Sequence, residues 1–483
     1  MSVVKVVAHI GGAIASVARA MGIVTIALAC VIAYSIGSLR RLAIRDRLAR
    51  AQHRSRQRGR LLRWSFTRLG ATFVKIGQIA SSRPDVFSAG VIDELRLLQD
   101  RVPPFSYRRV RAIIARELGV AIEASFREFD RAPVAAGGIA QVHRAVLLDG
   151  DEVAVKILRP RVRARAHRDA RLLLWLAHLA HAVSRRARAG DVIGHVRDLV
   201  AGIVAQTDLQ FEARNCKRLR RELARSRAVS APHVLSRFST RDVLVMEFVH
   251  GTPLGRVRAE HVADVTRALR DAFFAMCFQH GLVHADLHPG NILVRDDGGV
   301  VLLDAGLVKY LSAAAIDKVV DLTRCVVIGN AQDLVVHLQR HHRHLATTDW
   351  DAVAADATTF VAELRRRSIA ELEVSAIVAR LFALARKHGI RPMAELSLVL
   401  LGMVTIEGIA KRLDPNANML AEVAQFLAPR LANGRRLARG SSVWRRASSG
   451  ALIIAPEVRE VREVPETPPV AAATPASRRS DDG

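Results

Sequence analysis

Three oxygen-bearing side chains stand close together in the chain: Asp286, Asn291 five residues later, and Asp304 eighteen residues after the first. Two short apolar runs, Ile292 to Val294 and Val300 to Leu303, flank the turn Asp296-Asp297-Gly298-Gly299. Apolar runs joined by such a turn predict a hairpin whose ends carry all three polar groups. A carboxylate, an amide and a second carboxylate so placed can converge on one divalent cation and one triphosphate. The plainer reading is a surface hairpin rich in turn residues.

Phosphate chemistry also needs a fixed cation and a backbone that oxygens can approach. Ala135-Ala136-Gly137-Gly138-Ile139 supplies small residues in a turn between strands, and Val153-Ala154-Val155-Lys156 ends a β-branched strand on a lysine about twenty residues later. The loop is not GxGxxG, and neither a Walker A motif nor a Rossmann fingerprint occurs. By itself, a strand lysine with apolar neighbours usually just extends to solvent. Gln206 to Asn215 looks helical and offers Glu212, a carboxylate that could pair with Lys156 and hold it on the phosphates. The spacing of Asp286, Asn291 and Asp304 is that of a protein-kinase catalytic loop followed by its metal-binding loop, in whose chemistry Asp286 would orient the attacking oxygen, Asn291 bind one magnesium and Asp304 a magnesium bridging the phosphates. Asp242 to Val249 reads as a strand broken by Gly251-Thr252-Pro253-Leu254, which resembles the hinge between two kinase lobes; around Glu247, backbone groups would meet adenine.

Other elements must carry these groups. From about Gln57 to Gln99 the pattern is helical: Leu69, Phe73, Ile76 and Ile79 fall on one face, Lys75, Gln78 and Ser82 on another. By pattern alone that polar face is solvated. Arg159, Arg161, Arg163, Arg165, Arg168 and Arg171 decorate a further helix, read as a solvated face or one lying on anionic lipid. His337, His341, His342 and His344 contain an i, i+4 pair, but no HExxH-type acid accompanies them, so a solvated helix face is expected. His284 and His288 straddle Asp286 and read as loop scaffolding.

The balance of 73 Lys and Arg against 46 Asp and Glu gives a formal charge of +27, which favours a phosphate-bearing or anionic partner. With aromatics at 5% and no zinc-finger, RRM or KH signature, nucleic acid has few stacking platforms and is not the expected partner. Met21 to Leu39 holds no charged side chain, enough to span a bilayer core as a helix rising ~1.5 Å per residue. Arg40, Arg41, Arg45, Arg47 and Arg50 follow, which by the positive-inside rule keeps the remainder cytoplasmic. Val3 to Val17 is apolar apart from Lys5 and His9, so a second membrane helix is conceivable; burial against the protein's own surface is the competing reading. Cys30, Cys216, Cys277 and Cys325 are scattered without a CxxC, which fits a reducing compartment.

Taken in order, these pieces resemble the UbiB family of atypical kinases, relatives of the mitochondrial proteins that support coenzyme Q biosynthesis. The resemblance runs from about Leu62 to Pro415. It rests on the KxGQ helix at Lys75, Gly77 and Gln78, Ser82-Arg83-Pro84-Asp85, Ala140-Gln141-Val142-His143, the VAVK ending at Lys156, HxDxHPGN from His284 to Asn291, and Glu407-Gly408 with Leu413-Asp414-Pro415. It implies a kinase-like fold with ATP between the lobes and the KxGQ helix closing over the cleft through Lys75 and Gln78. It also implies ATPase activity coupled to lipid or to membrane-bound biosynthetic enzymes. Three motifs depart from the pattern: Gly137 and Gly138 replace an alanine-rich loop ending in serine, ExD reads Gln206-Thr207-Asp208, and DFG reads Asp304-Ala305-Gly306. Gln206 cannot supply a charge to a metal, although Asp208 can.

The expected architecture is α+β: a two-lobed protein-kinase-like fold with an N-terminal helical extension and an N-terminal transmembrane helix. Residues 1–39 form the membrane segment, 40–105 the extension carrying KxGQ, 106–249 the N-lobe, 250–432 the helical C-lobe and 433–483 a disordered tail. The expected cofactors are ATP and Mg2+. Expected partners are a nucleotide, membrane lipid or isoprenoid quinone intermediates, and quinone-biosynthesis enzymes, at the bacterial inner membrane. The expected function is a membrane-anchored ATPase or kinase of the UbiB type; the alternative is an ATP-binding pseudokinase that switches its grip on lipids or partners without turnover. A true protein or small-molecule kinase ranks last, because the Lys75 to Gln78 helix would block an extended peptide.

Overall fold

A computed structural model describes residues 21–38, 45–81, 87–98, 102–184, 192–225, 228–327, 330–367, 371–415, 417–427, 444–446 and 452–454. The apolar Val3 to Val17, Arg40 and Arg41, Ser82 to Asp85 and most of 433–483 lie outside the described residues. Two compact units divide the chain, Met1–Ala428 and Pro429–Gly483. Of the second, what is described is an antiparallel strand pair, Trp444–Arg446 with Leu452–Ile454.

In the first unit, strands β1 (Phe126–Phe129), β2 (Ala135–Ala136), β3 (Ala140–Leu147) and β4 (Glu152–Leu158) precede β5 (Val229–Ser230) and β6 (Val243–Glu247). The first sheet has the order β1-β3-β4-β6, with β2 pairing β3. Alternation along β4 sets the division of labour: Val153, Val155 and Ile157 point into a core with Val110, Ile113 and Ile114 of the Tyr107–Leu118 helix. That core fixes the register placing Lys156 opposite Val142 on one side and Leu244 on the other.

The second lobe is mainly helical, and its small sheets hold the polar loops. β7 (Thr252–Pro253), β9 (Ile292–Val294) and β10 (Val300–Leu302) form a sheet of order β5-β10-β9-β7, and β8 (Leu282–His284) pairs with β11 (Val308–Tyr310). The hairpin expected around Asp296 to Gly299 is present, with Val300 opposite Val294 and Leu302 opposite Ile292. β5 joins this sheet parallel to β10 although it precedes the hinge. Beneath lie the fully buried Phe273, Phe274, Met276 and Phe278, on the Val262–Phe274 helix and the π-helical turn Ala275–Gln279 that continues it. The Ala394–Leu413 helix adds Glu407, almost fully buried, whose carboxylate accepts from Val374 and Ser375 N–H at 2.7 Å each. It caps the Val374–Lys387 helix from outside.

The N-terminal extension packs Arg47–Leu69, Ala71–Ser81 and Ala89–Arg96 around Val74, Ala80, Val91, Leu95 and Leu98. Gly77 is required by contact: a Cβ there would sit 2.2 Å from Leu98 Cδ1 and 2.7 Å from Phe66 Cδ2. The Met21–Ser38 helix has mean hydropathy 2.0 and is long and apolar enough to cross a membrane. Ile23 and Ile26 pack with Leu69, Phe73 and Ile76, whereas Met21, Val24, Leu28, Val31, Ile32 and Ile36 are exposed.

The turn into β8 aims the loop that carries Asp286. Gly281 has φ +63, and a Cβ there would lie 2.7 Å from the Leu311 carbonyl oxygen. Gly281→Ala should therefore lower stability by about 1 to 3 kcal/mol, read as a fall in unfolding midpoint, whereas Gly255→Ala, with open space around it, should change it little.

Candidate active site between the lobes

Lys156 leaves β4 toward the second lobe and meets two carboxylates. Its Nζ lies 2.6 Å from Glu212 Oε1 and 3.1 Å from Asp304 Oδ2. Glu212 comes from the Leu209–Glu222 helix, so it sits one turn beyond that helix's N-cap. Asp304 follows β10, and its other oxygen accepts from Gly306 N–H at 2.7 Å. The Glu212 side chain is 5% exposed and that of Lys156 16%, so the pair is largely cut off from water. Burial, aided by Asp304 and opposed by Lys156, pushes the Glu212 carboxyl up to about 7. Burial also pushes Asp304 upward, but the Lys156 ammonium, the Gly306 N–H and Lys75 together hold it well below the usual carboxylate range. Lys156 in turn is kept charged despite its burial, chiefly by Asp304 and Glu212.

The loop after β8 brings Asp286 and Asn291 alongside. His284 is buried, and its Nε2 lies 2.5 Å from the Asp304 carbonyl oxygen, which can only accept. Nε2 therefore carries the proton, and Nδ1 is left to accept from Asp286 N–H at 3.3 Å. One neutral imidazole thus ties the two loops, and burial, the leading cause, lowers its basicity. His288 Nδ1 accepts from Gly290 N–H at 3.1 Å, and Asn291 Nδ2 donates to the Asp286 carbonyl at 3.2 Å. Both histidines scaffold the loop.

A second cation reaches this loop from far away in sequence. Lys75 Nζ lies 3.1 Å from Asp286 Oδ2, so the polar face of the Ala71–Ser81 helix is not simply solvated. It is turned toward the acid because the opposite face buries Phe73 and Ile76. Gln78, on the same face, donates to the Leu98 carbonyl at 3.4 Å.

Other predicted positions are used differently. Asp208 caps the Leu209–Glu222 helix by accepting from Gln210 N–H at 3.0 Å, and its second oxygen takes Arg241 Nε at 3.2 Å. Both oxygens are thus spent on capping and on Arg241. The residue two before it comes nearer the cluster. A Cβ on Gly306 would lie 3.0 Å from Asp304 Oδ1, 3.6 Å from Glu212 Oε2 and 3.7 Å from Gln206 Cγ. Glu247 turns its carboxylate to Arg295 Nη2 at 2.6 Å, Arg220 Nη1 at 3.4 Å and His233 N–H at 3.0 Å. It locks the hinge, and its side chain is not free for a ligand.

The small-residue loop is a tight β2–β3 hairpin. Ala135 and Ala136 pair with Val142 and Gln141, and Gly137 N–H donates to the Ala140 carbonyl at 2.9 Å. Arg159 pins this turn: its Nε donates to the Gly137 carbonyl at 2.6 Å, its Nη2 to the Val102 and Pro103 carbonyls at 3.2 and 2.8 Å, and its N–H to the Ile139 carbonyl at 2.8 Å. Arg163 binds the Thr207 carbonyl and Asp242. The arginine run is therefore partly structural, because Arg159 precedes the Val162–Val183 helix rather than decorating it. Gln141 and His143 form a buried chain, from Phe105 N–H to Gln141 Oε1 at 2.9 Å, Gln141 Nε2 to His143 Nε2 at 2.8 Å, and His143 Nδ1 to the Asp130 carbonyl at 2.7 Å. Asn215 clamps the far side, donating to the Ala305 carbonyl at 2.9 Å and accepting from Tyr310 at 3.0 Å. No signal within the chain marks Arg159 or Asn215, since each acts on backbone distant in sequence.

The expectation of a solvated histidine face is overturned. His337 and His342 are buried, and His337 Nδ1 lies 3.0 Å from Asp321 Oδ2 on the neighbouring Ala313–Val327 helix. The acid that sequence spacing failed to supply comes from the helix packed alongside.

Residues 97–338 match the family described as the ABC1 atypical kinase-like domain, and residues 357–418 the UbiB helical domain. A probable protein kinase UbiB of Azotobacter vinelandii is 30% identical over 388 residues, covering 76% of this chain and 70% of its own length. Its counterpart in Marinobacter nauticus is 31% identical over 390 residues, covering 77% of this chain and 69% of its own. The solved structure of Rv3197 with erythromycin, from Mycobacterium tuberculosis, covers 67% of this chain and 83% of its own, with 21% identity and a TM-score of 0.49.

Removing the central cation strands a buried acid. Lys156→Ala should cost on the order of 3 kcal/mol, and the cost should depend on pH. Glu212 has a folded value near 7, above the ordinary 4.5, so the native state holds an extra proton between those values and loses that advantage as pH rises. Without Lys156 the folded value moves higher still. The midpoint gap between wild type and Lys156→Ala should thus widen from about pH 6 to about pH 8.5, measured by thermal unfolding; a constant gap would contradict the assignment of Glu212 as the stranded acid.

Proposed function

Because the chain belongs to the ABC1/UbiB family of atypical kinase-like proteins, we propose that it binds Mg-ATP between its lobes and acts as a membrane-attached ATPase or phosphotransferase in isoprenoid-quinone or other lipid metabolism. The observation that carries this reading is the ammonium of Lys156 bridging Glu212 and Asp304, with Asp286 and Asn291 on the adjoining loop. The residues present fit Mg-ATP: Gln206 Nε2 is buried without a hydrogen-bond partner among the described residues, and Gln206 Cγ and Asp304 Oδ1 both lie within 4 Å of where a Cβ on Gly306 would sit. An unpaired buried N–H is costly, and a phosphate oxygen or a cation-bound water is the acceptor it lacks.

When bound, Mg-ATP would supply the phosphoryl group and the cation that neutralises it. Lys156, held by Glu212, would donate to the α and β phosphates; Asp304 and Asn291 would hold the cation; Gln206 would donate to an oxygen beside them. The turn at Ala135, Ala136, Gly137, Gly138 and Ile139, kept in place by Arg159, would cover the phosphates. Asp286 would orient the acceptor, and Lys75 would restrain it until displaced. The quinone or lipid role and the biosynthetic partner enzymes stand on the family resemblance.

The Lys75–Asp286 pair also favours a second reading, a nucleotide-gated switch with little turnover. The Lys75 ammonium occupies Asp286 Oδ2, an oxygen that an acceptor would otherwise use. Membrane attachment is supported by the exposed apolar side chains of Met21–Ser38, beside the arginine-rich Arg47–Leu69 helix.

Asp304→Asn should abolish stabilisation by Mg-ATP in a thermal-shift titration and lower phosphate release at least about 100-fold; unchanged release would sink the ATPase reading. Strong stabilisation of the wild type without lipid-stimulated release would favour the switch. A chain lacking residues 1–38 should move from the membrane to the soluble fraction, and its retention on membranes would place the attachment elsewhere.

A further inference from the structure

Away from the nucleotide cleft, the two helices Ala313–Val327 and Ala331–His341 enclose a separate group of titratable side chains. Asp321, His337 and His341 each bring a potential ligand atom within 4.8 Å of the others. The His337 side chain is 1% exposed. Its Nδ1 faces Asp321 Oδ2 at 3.0 Å, and a carboxylate can only accept, so Nδ1 carries a proton and in the neutral ring Nε2 presents its lone pair. That Nε2 is buried with no hydrogen-bond partner among the described residues. A carboxylate fixing one imidazole nitrogen while the other is left with a free lone pair is the arrangement that orients a metal-binding histidine.

His342 supplies a second, independent sign. It is 7% exposed, its ring lies 5.4 Å from that of His337, and its Nδ1 accepts from Met393 N–H at 3.2 Å. Its proton is therefore on Nε2, and among the described residues that buried donor has no acceptor within hydrogen-bond distance. Two neighbouring rings thus present an orphaned acceptor and an orphaned donor. A metal ion with a bound water satisfies both: the ion takes the His337 lone pair, and the water oxygen accepts from His342.

We propose that His337 and His341, with Asp321 alongside, bind a divalent transition-metal ion, zinc being the best match to imidazole and carboxylate donors. His337 ligates through Nε2. The His341 ring, 4.9 Å from that of His337 and only partly buried, ligates from the solvent side and gives the ion a way in. Asp321 sets the His337 tautomer through one oxygen, while Arg324 holds the other at 2.9 and 3.2 Å. The Arg324 charge weakens Asp321 as a direct ligand and suits it to the orienting role. Bound there, the ion joins two side chains one turn apart on the Ala331–His341 helix, and the Asp321–His337 hydrogen bond ties that helix to its neighbour.

The test uses the full chain in detergent, stripped of metal and kept in excess Mg2+ so that the nucleotide cleft does not compete. Titration with zinc sulfate should give one ion per chain and raise the unfolding midpoint. Cobalt chloride should give a visible ligand-field band. His341→Ala, altering a partly exposed residue, should weaken zinc binding at least tenfold and remove the band, and His337→Gln should do the same. His344→Ala, an exposed neighbour facing Trp350, should leave both unchanged. Failure to take up one zinc would mean an ordered water only, and uptake insensitive to His341→Ala would place the metal elsewhere; either result overturns the proposal.

Discussion

Two acids from opposite lobes meet one ammonium at the centre of this molecule. Glu212 arrives on a helix packed behind the first sheet and Asp304 on a loop leaving the second, and Lys156 is the cation between them. Burying either carboxylate alone would be costly, and the attraction recovers that cost only while the geometry holds. The surroundings are organised accordingly. The apolar face of β4 fixes the strand on which the lysine stands, Gly306 N–H fixes one oxygen of Asp304, and His284 and Asn215 hold the carbonyls of Asp304 and Ala305.

The helical extension belongs to this site rather than merely flanking it. Close approach at Gly77 seats the Ala71–Ser81 helix so that Lys75 reaches Asp286. The cleft thus holds three ammonium–carboxylate contacts, Lys156 with Glu212 and with Asp304, and Lys75 with Asp286. A ligand bearing several negative charges would draw both lysines, so filling the cleft and releasing Asp286 are physically linked.

What could be read from the sequence follows from how locally each feature is encoded. The β9–β10 hairpin is written in two apolar runs and four turn residues, and Asp286, Asn291 and Asp304 travel with it. The apolar face of the KxGQ helix follows from its period. Periodicity says which side of a helix is buried, but not what the other side meets, so the partner of Lys75, 211 residues away, was beyond it. The same limit explains the histidines: His337 and His341 lie on one helix, and the acid that changes their meaning, Asp321, lies on another. Asp208 shows the converse, because an aspartate just before a helix is encoded locally as its cap, and the structure uses it so, with Arg241 on its second oxygen.

The parallel pairing of β5 with β10 has a topological result. Residues upstream of the hinge complete a sheet built otherwise from residues downstream of it, so the lobes are interleaved in sequence although they are separate in space. Cutting the chain at the hinge would leave β10 with a bare row of backbone donors and acceptors along one edge, a template for self-association. The helical lobe is therefore not an excisable module, because a short segment from upstream of the hinge completes its sheet.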